Sequence, residues 1–313
     1  MVWFPAQGSY LSQSLPSHSS PGLGRIRQQR DATRFPVCAD EQTLRNPLDG
    51  LTTQPMSTEP RPVAVVTGAA HGIGAATAAL AVEAGFAVAL LDRDEEAVRA
   101  NSRELGERAR RALSVACDVS DEAAVRAAFR RITAELGRPS ALVTSAGVDR
   151  GGRIGDLEAR TWDRVMNVNL RGTFLCCREA VRAMCQLGGG AIVCISSPFA
   201  LVSAEAVTAY ASSKAGVCSL VRSIAVDYAR AGIRANALLP GPTETELMWA
   251  NVVAAEIDAT RDAVRREVPL GRLAQPEEIA RIALWLLSDA ASYITGTQLS
   301  CDGGLLARAA ISV

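Results

Sequence analysis

From residue 62 onward, short apolar runs alternate with longer stretches in which apolar residues recur every three or four positions. The runs at 63–67, 86–91, 113–116, 141–144, 191–195, 234–239 and 298–301 draw mostly on valine, alanine, leucine and isoleucine. Their length and composition suit strands buried on both faces. The stretches 75–84, 94–109, 121–136, 161–184, 208–231 and 276–288 predict helices. Segment 243–269 is less regular and reads as a looser, partly apolar lid containing Met248, Trp249, Val252 and Val253. Strands alternating with helices predict an α/β fold, a doubly wound parallel sheet in a single domain. Ligands bind such sheets at the carboxyl ends of the strands, so chemistry is expected in the residues that follow each run.

Residues 1–60 break the pattern. Eight of the fourteen prolines lie from Pro5 to Pro62, with serine, glutamine and glycine between them. No sustained period builds a core there. Arg25, Arg27 and Arg30 without an acidic residue weakly resemble a transit peptide, and Met56 is an alternative start. The reading adopted is a dispensable or misassigned extension, with the catalytic unit spanning 61–313.

Composition narrows the function classes. Thirty-three basic and thirty-three acidic side chains cancel, and no long basic run occurs, which argues against nucleic acid or a membrane surface as partner. No apolar run reaches membrane-spanning length. The eight cysteines lack metal-ligand spacing, and Cys117, Cys194 and Cys301 fall in strand-like runs. Free thiols in the cytoplasm and no metal are therefore expected.

The first run leads into Gly68-Ala-Ala-His-Gly72-Ile-Gly74 and then an alanine-rich helix. A strand, a glycine turn and a helix in this order form a phosphate cradle, with His71 as a solvent-side residue. Asp92 ends the second run, about where an acid bonds the ribose hydroxyls and repels a 2′-phosphate, which favours NAD over NADP. Arg93 blurs that preference, although a solvated role suits it better. Asp118, after the third run, either accepts from the adenine amino group or caps the next helix. The fifth run delivers Ser196 and Ser197, and Tyr210 and Lys214 share one helix face one turn apart. Lys214 is the only lysine in the chain.

Taken in order, these elements resemble the short-chain dehydrogenase/reductase family over about 62–306, in its single-domain branch. The resemblance rests on Thr67-Gly68-x-x-x-Gly72-Ile73-Gly74, Asp92, Asp118, Asn169, Ser197, Tyr210-x-x-x-Lys214, Pro240-Gly241 with Thr245, and Asp302-Gly-Gly. It implies a Rossmann-type fold and an oxidoreductase that transfers a hydride between NAD(H) and a secondary alcohol or ketone. It also implies Tyr210 as acid/base with a downward-shifted phenol, Lys214 on the nicotinamide ribose, Ser197 on the substrate oxygen and Asn169 anchoring a proton-relay water. The implied cofactor contacts are Gly68, Gly72, Ile73, Gly74, Asp92, Asp118, Val119, Ala146, Gly147, Tyr210, Lys214, Pro240, Gly241 and Thr245. The resemblance further implies a homotetramer or homodimer. One departure stands out: Thr144-Ser145-Ala146-Gly147 replaces the family's Asn-Asn-Ala-Gly, which puts the bracing of the fourth strand in question. An NADPH-dependent 3-oxoacyl-carrier-protein reductase is the alternative enzyme, and a non-catalytic dinucleotide sensor the alternative without turnover. Asp149, Arg150 and Arg153 are placed at the mouth of the site, and Arg265 and Arg266 toward solvent.

Overall fold

Each apolar run forms a strand, and alternate side chains along it enter different cores. In β1 (Val63–Thr67), Val63 and Val65 join one cluster and Val66 the other. In β2 (Ala87–Asp92), Ala87, Ala89 and Leu91 face one way, Val88 and Leu90 the other. Unbroken apolar runs are what a sheet covered on both faces requires, because neither face can afford a polar position. The structure, a computed structural model, describes residues 62–105, 111–250 and 252–308; the expected extension over 1–60 lies outside the described residues.

The remaining strands are β3 (Ala112–Ala116), β4 (Pro139–Thr144), β5 (Gly190–Ile195), β6 (Ile233–Pro240) and β7 (Gln298–Cys301). They make one seven-stranded parallel sheet in the order β3-β2-β1-β4-β5-β6-β7. The helices α1 (Gly72–Glu83), α2 (Glu95–Glu104) and α9 (Pro276–Leu287) supply one core, through residues such as Ala78, Val98 and Ile279. The helices α3 (Glu122–Glu135), α5 (Thr173–Leu187) and α6 (Thr208–Tyr228) supply the other, through Ile132, Met184 and Val221. The expected doubly wound sheet is therefore present. The chain reverses direction of travel across the sheet between β1 and β4, and the crevice opens at their carboxyl ends.

Three local differences from the sequence reading have physical causes. The single helix expected over 161–184 is α4 (Ala159–Val165), a π-helical segment Met166–Gly172 and then α5. The wider turn is invisible to a 3.6-residue apolar period. The helix expected from 94 starts at Glu95 because Asp94 caps it, accepting from Ala97 N at 3.0 Å; its expected end at 109 lies outside the described residues. The segment 243–269 is more regular than expected, holding α7 (Glu246–Trp249) and α8 (Ile257–Glu267).

Candidate active site

The crevice begins at the turn after β1. Gly68 has φ +66°, and a Cβ there would stand 2.7 Å from Ala146 N; a Cβ on Gly74 would stand 2.0 Å from Gly68 O. The backbone can fold this tightly, and leave room for a ligand phosphate, only without side chains. Thr67 Oγ1 accepts from Ser145 N (3.1 Å) and Ala146 N (3.2 Å), tying the loop after β4 to the end of β1. That answers the Thr144-Ser145 departure. The brace comes from a threonine on β1, a role not read from the sequence, while the Thr144 hydroxyl turns toward the Cys194 thiol.

At the end of β2, Asp92 Oδ2 accepts from Ala70 N and Oδ1 from Asp94 N, both at 3.1 Å. Each carboxylate oxygen keeps a second lone pair for a further donor. Asn101 Nδ2 donates to Ala69 O at 2.6 Å, a second support for the glycine turn that no motif marked. Asp118 does not cap α3; Asp121 does, accepting from Ala123 N at 2.8 Å. Asp118 accepts from Ser120 N and Oγ, and that hydroxyl together with the Arg93 charge holds its carboxyl below the usual range. Arg93 is exposed. Val119 is buried where Gly172 approaches it; a Cβ on Gly172 would stand 2.7 Å from Val119 Cγ2.

On the other side of the crevice the π-helical segment turns Asn169 inward, where it is 1% exposed. Its amide clamps Val148, accepting from Val148 N at 2.8 Å and donating to Val148 O at 2.9 Å, and also donates to Ser213 Oγ at 3.1 Å. Ser213 Oγ in turn donates to Tyr210 O at 2.7 Å. The side chain expected to anchor a relay water is engaged with protein at both its nitrogen and its oxygen. Ser213, missed from sequence, had only its place between Tyr210 and Lys214 as a signal.

Ser196 and Ser197 part company at the end of β5. Ser196 Oγ donates to Lys214 O at 2.9 Å, fixing α6 to the sheet. Ser197 Oγ accepts from Phe199 N at 3.2 Å, and its hydroxyl favours the ionised form of the Tyr210 phenol. Lys214 is 5% exposed, donates from Nζ to Ile195 O at 2.9 Å, and lies 5.5 Å from the Tyr210 ring centroid. Burial pushes the ammonium down to about 8, against the pull of Cys194, Cys218 and Asp149. Burial also pushes Tyr210 up to about 12; Ser197 counters the rise and Asp149 adds to it. The downward shift expected for the phenol is therefore not produced by the protein groups alone, because burial outweighs the opposing effect of Ser197.

The remaining cofactor candidates close the crevice. A Cβ on Gly147 would lie 3.5 Å from Asn169 Oδ1 and 3.7 Å from Lys214 Nζ. Pro240 ends β6, and Gly241 packs so tightly that a Cβ would meet Asp302 Cα at 2.6 Å. Thr245 caps α7, accepting from Met248 N at 3.3 Å, and its Cγ2 would stand 2.9 Å from a Cβ on Gly72. His71, expected to lack a partner, lies 3.8 Å from Glu246 across the same gap. Ile73 packs against the core beneath the turn. Among the described residues no cluster suits a metal ion. A cleft of about 600 Å³ beside α3 stands apart from this crevice, and its Arg126 and Arg171 both lie against Glu122.

A side-chain-free cradle after β1, an acid at the end of β2 and a tyrosine–lysine pair at the end of β5 are the arrangement of a dinucleotide-dependent α/β oxidoreductase. The family model described as enoyl-(acyl carrier protein) reductase matches residues 68–306. The chain is 44% identical over 246 residues to the cis-4-hydroxycyclohexanecarboxylate dehydrogenase of Sinomonas cyclohexanicum, covering 78% of this chain and 96% of that one. It is 40% identical over 246 residues to the D-threitol dehydrogenase of Mycolicibacterium smegmatis, covering 77% and 92%. The solved structure of the aldohexose dehydrogenase of Thermoplasma acidophilum superposes with a TM-score of 0.73 at 34% identity, covering 81% and 97%. The chain belongs to the short-chain dehydrogenase/reductase family. It is an NAD(P)-dependent oxidoreductase acting on CH–OH groups.

Proposed function

We propose that the chain interconverts a secondary alcohol and its ketone at the Ser197–Tyr210–Lys214 cluster, with NAD preferred over NADP. The observation that carries this reading is buried Lys214, 5.5 Å from the Tyr210 ring and bonded to Ile195 O at the end of β5, two residues before Ser197. The cradle formed by Gly68, Gly72, Ile73 and Gly74, with Asp92, Asp118, Val119, Ala146, Gly147, Pro240, Gly241 and Thr245, holds the dinucleotide. When bound, the dinucleotide supplies the two-electron exchange with the carbinol carbon. Tyr210 takes the carbinol proton in oxidation and returns it in reduction. Ser197 donates to the same substrate oxygen and orients it. Lys214 makes a phenolate less costly and meets the nicotinamide ribose. Asn169 acts by holding Val148, and through it the loop between the two halves of the crevice.

The preference for NAD is supported by Asp92 at the strand end. A homotetramer or homodimer is proposed from family resemblance, and the cytoplasm from seven unbridged cysteines among the described residues. No described helix is long and apolar enough to cross a membrane.

The test is turnover of a secondary-alcohol panel with each cofactor. Tyr210→Phe is expected to lower kcat by roughly 10²–10⁴-fold while dinucleotide affinity stays within about threefold. Full activity in Tyr210→Phe overturns the assignment. Strong NADPH preference would favour the 3-oxoacyl-carrier-protein reductase alternative.

A further inference from the structure

Asp302-Gly303-Gly304 takes no part in the chemistry above, yet it lies beside a helix that the core does not hold. α8 buries none of its residues. Apolar burial fixes most helices in a protein, so α8 depends on ties at its middle and its ends. At the middle, Arg261 Nε lies 3.0 Å from Glu244 Oε1. Before it, Glu244 N donates to Ala274 O and Ala274 N to Pro242 O, both at 2.9 Å. These backbone bonds close the neck of the segment 243–269 and keep Thr245 in place beside Gly72.

The far end of α8 is held by the segment that follows β7. Asp302 Oδ1 accepts from Gly304 N at 3.0 Å and Oδ2 from Leu306 N at 2.9 Å, which folds that segment into a turn. Gly303 and Gly304 are left-handed, with φ +64° and +90°, and a Cβ on Gly303 would stand 2.6 Å from Val268 Cγ1. The turn therefore lies flat on the residues just after α8, and Gly303 O accepts from Leu270 N at 3.1 Å. Arg308 completes the attachment. Its Nη1 donates to Arg266 O at 3.0 Å and to Glu267 O at 3.3 Å, the carbonyls that end α8. A helix leaves such carbonyls unpaired at the negative end of its dipole, and a guanidinium there meets both needs.

Resting on the reading of 243–269 as a lid over the substrate, we propose that Asp302 to Arg308 form a strap that seats α8, with Arg308 as a positioning residue for the alcohol. Opening the clasp lowers the fraction of molecules whose lid is seated, and apparent substrate affinity falls by that fraction. Bound substrate seats the lid again, so turnover at saturation is preserved. The neck bonds do not involve Arg308, so the dinucleotide site is spared.

Steady-state kinetics on a secondary alcohol that wild type oxidises, with dinucleotide Kd by fluorescence, test this. Arg308→Met removes the donors and keeps an apolar stem. It is expected to raise KM roughly fivefold, with kcat and dinucleotide Kd within about twofold. Arg308→Lys keeps a charged donor and should recover much of the loss. Glu267→Gln removes only an exposed ion pair with Arg308 and should leave KM within about twofold. An unchanged KM in Arg308→Met, whatever happens to Tm, overturns the inference and reduces the strap to a brace. A KM rise in Glu267→Gln as large as that in Arg308→Met overturns the helix-end account. A dinucleotide Kd that rises with KM overturns it too, because the lid would then serve the cofactor. Each of these leaves the oxidoreductase reading standing; failure of wild type to oxidise any secondary alcohol with either dinucleotide overturns both.

Discussion

The two halves of the crevice are built from different materials. The cofactor half, around the turn after β1, is backbone and absent side chains: Gly68 and Gly74 in van der Waals contact with main-chain atoms. The proposed substrate half, which ends at α8, contains side chains locked to each other. Glu244 accepts from Trp249 Nε1 at 3.1 Å and from Arg261 Nε at 3.0 Å, and Arg261 lies 4.9 Å from the Trp249 ring centroid. A backbone cradle recognises the one part of the reaction that every dinucleotide shares. A cluster of side chains can be exchanged piece by piece, and so carries what is individual to this chain.

The largest expected effect lies in the cofactor half. Gly74→Ala puts a carbon 2.0 Å from a main-chain oxygen, which no rotamer relieves. Dinucleotide Kd is expected to rise roughly a hundredfold, about 3 kcal/mol, by fluorescence titration. Wild-type affinity would show that the turn is softer than the comparison assumes.

Lys214 sits between the halves and separates stability from function. A folded-state value of about 8, against the ordinary lysine value of 10.5, means that the unfolded chain binds more protons between those pH values. The penalty is full below pH 8, about 3 kcal/mol, and is relieved as pH rises from 8 toward 10.5. Lys214→Met is therefore expected to abolish turnover while holding or raising Tm at pH 7, with the gain over wild type shrinking toward pH 10. Lys214→Arg keeps charge but changes donor geometry, and is expected to lose most activity. A large drop in Tm for Lys214→Met would mean that the Ile195 hydrogen bond outweighs the desolvation.

In the substrate half, Glu244→Gln weakens one lock. KM for the alcohol is expected to rise roughly fivefold, about 1 kcal/mol, with dinucleotide Kd unchanged. A change in both constants would merge the two halves into one unit. The smallest effect is at Ala206, the one described non-glycine residue with positive φ, at 58°. Ala206→Gly is expected to raise stability by about 0.5–1 kcal/mol, or about 2 °C in Tm, because the left-handed strain exceeds glycine's added freedom in the unfolded chain.

The same division separates what was legible in the sequence from what was not. The strands, their burial on both faces and the helix carrying Tyr210 and Lys214 follow from local apolar pattern. The glycine turn is local as well, since its spacing requires only the chain's own backbone. Asn169 was readable as a site residue only by resemblance. Its grip on Val148 depends on a π-helical turn that shifts the side chain inward, and apolar spacing carries no trace of that. Asp118 looked like a cap because an acid before a helix usually is; Asp121, three residues on, took that place.

What the sequence determined by itself is the alternating architecture, the glycine cradle and the one-turn spacing of the only lysine from Tyr210. Those depend on contacts within a few residues. Tertiary structure decided the separate roles of Ser196 and Ser197, the Thr67 brace, the pairing of Arg153 with Glu205 and the direction of the Tyr210 shift. Each of these depends on which segments the sheet order brings together, and on how far water is excluded between them.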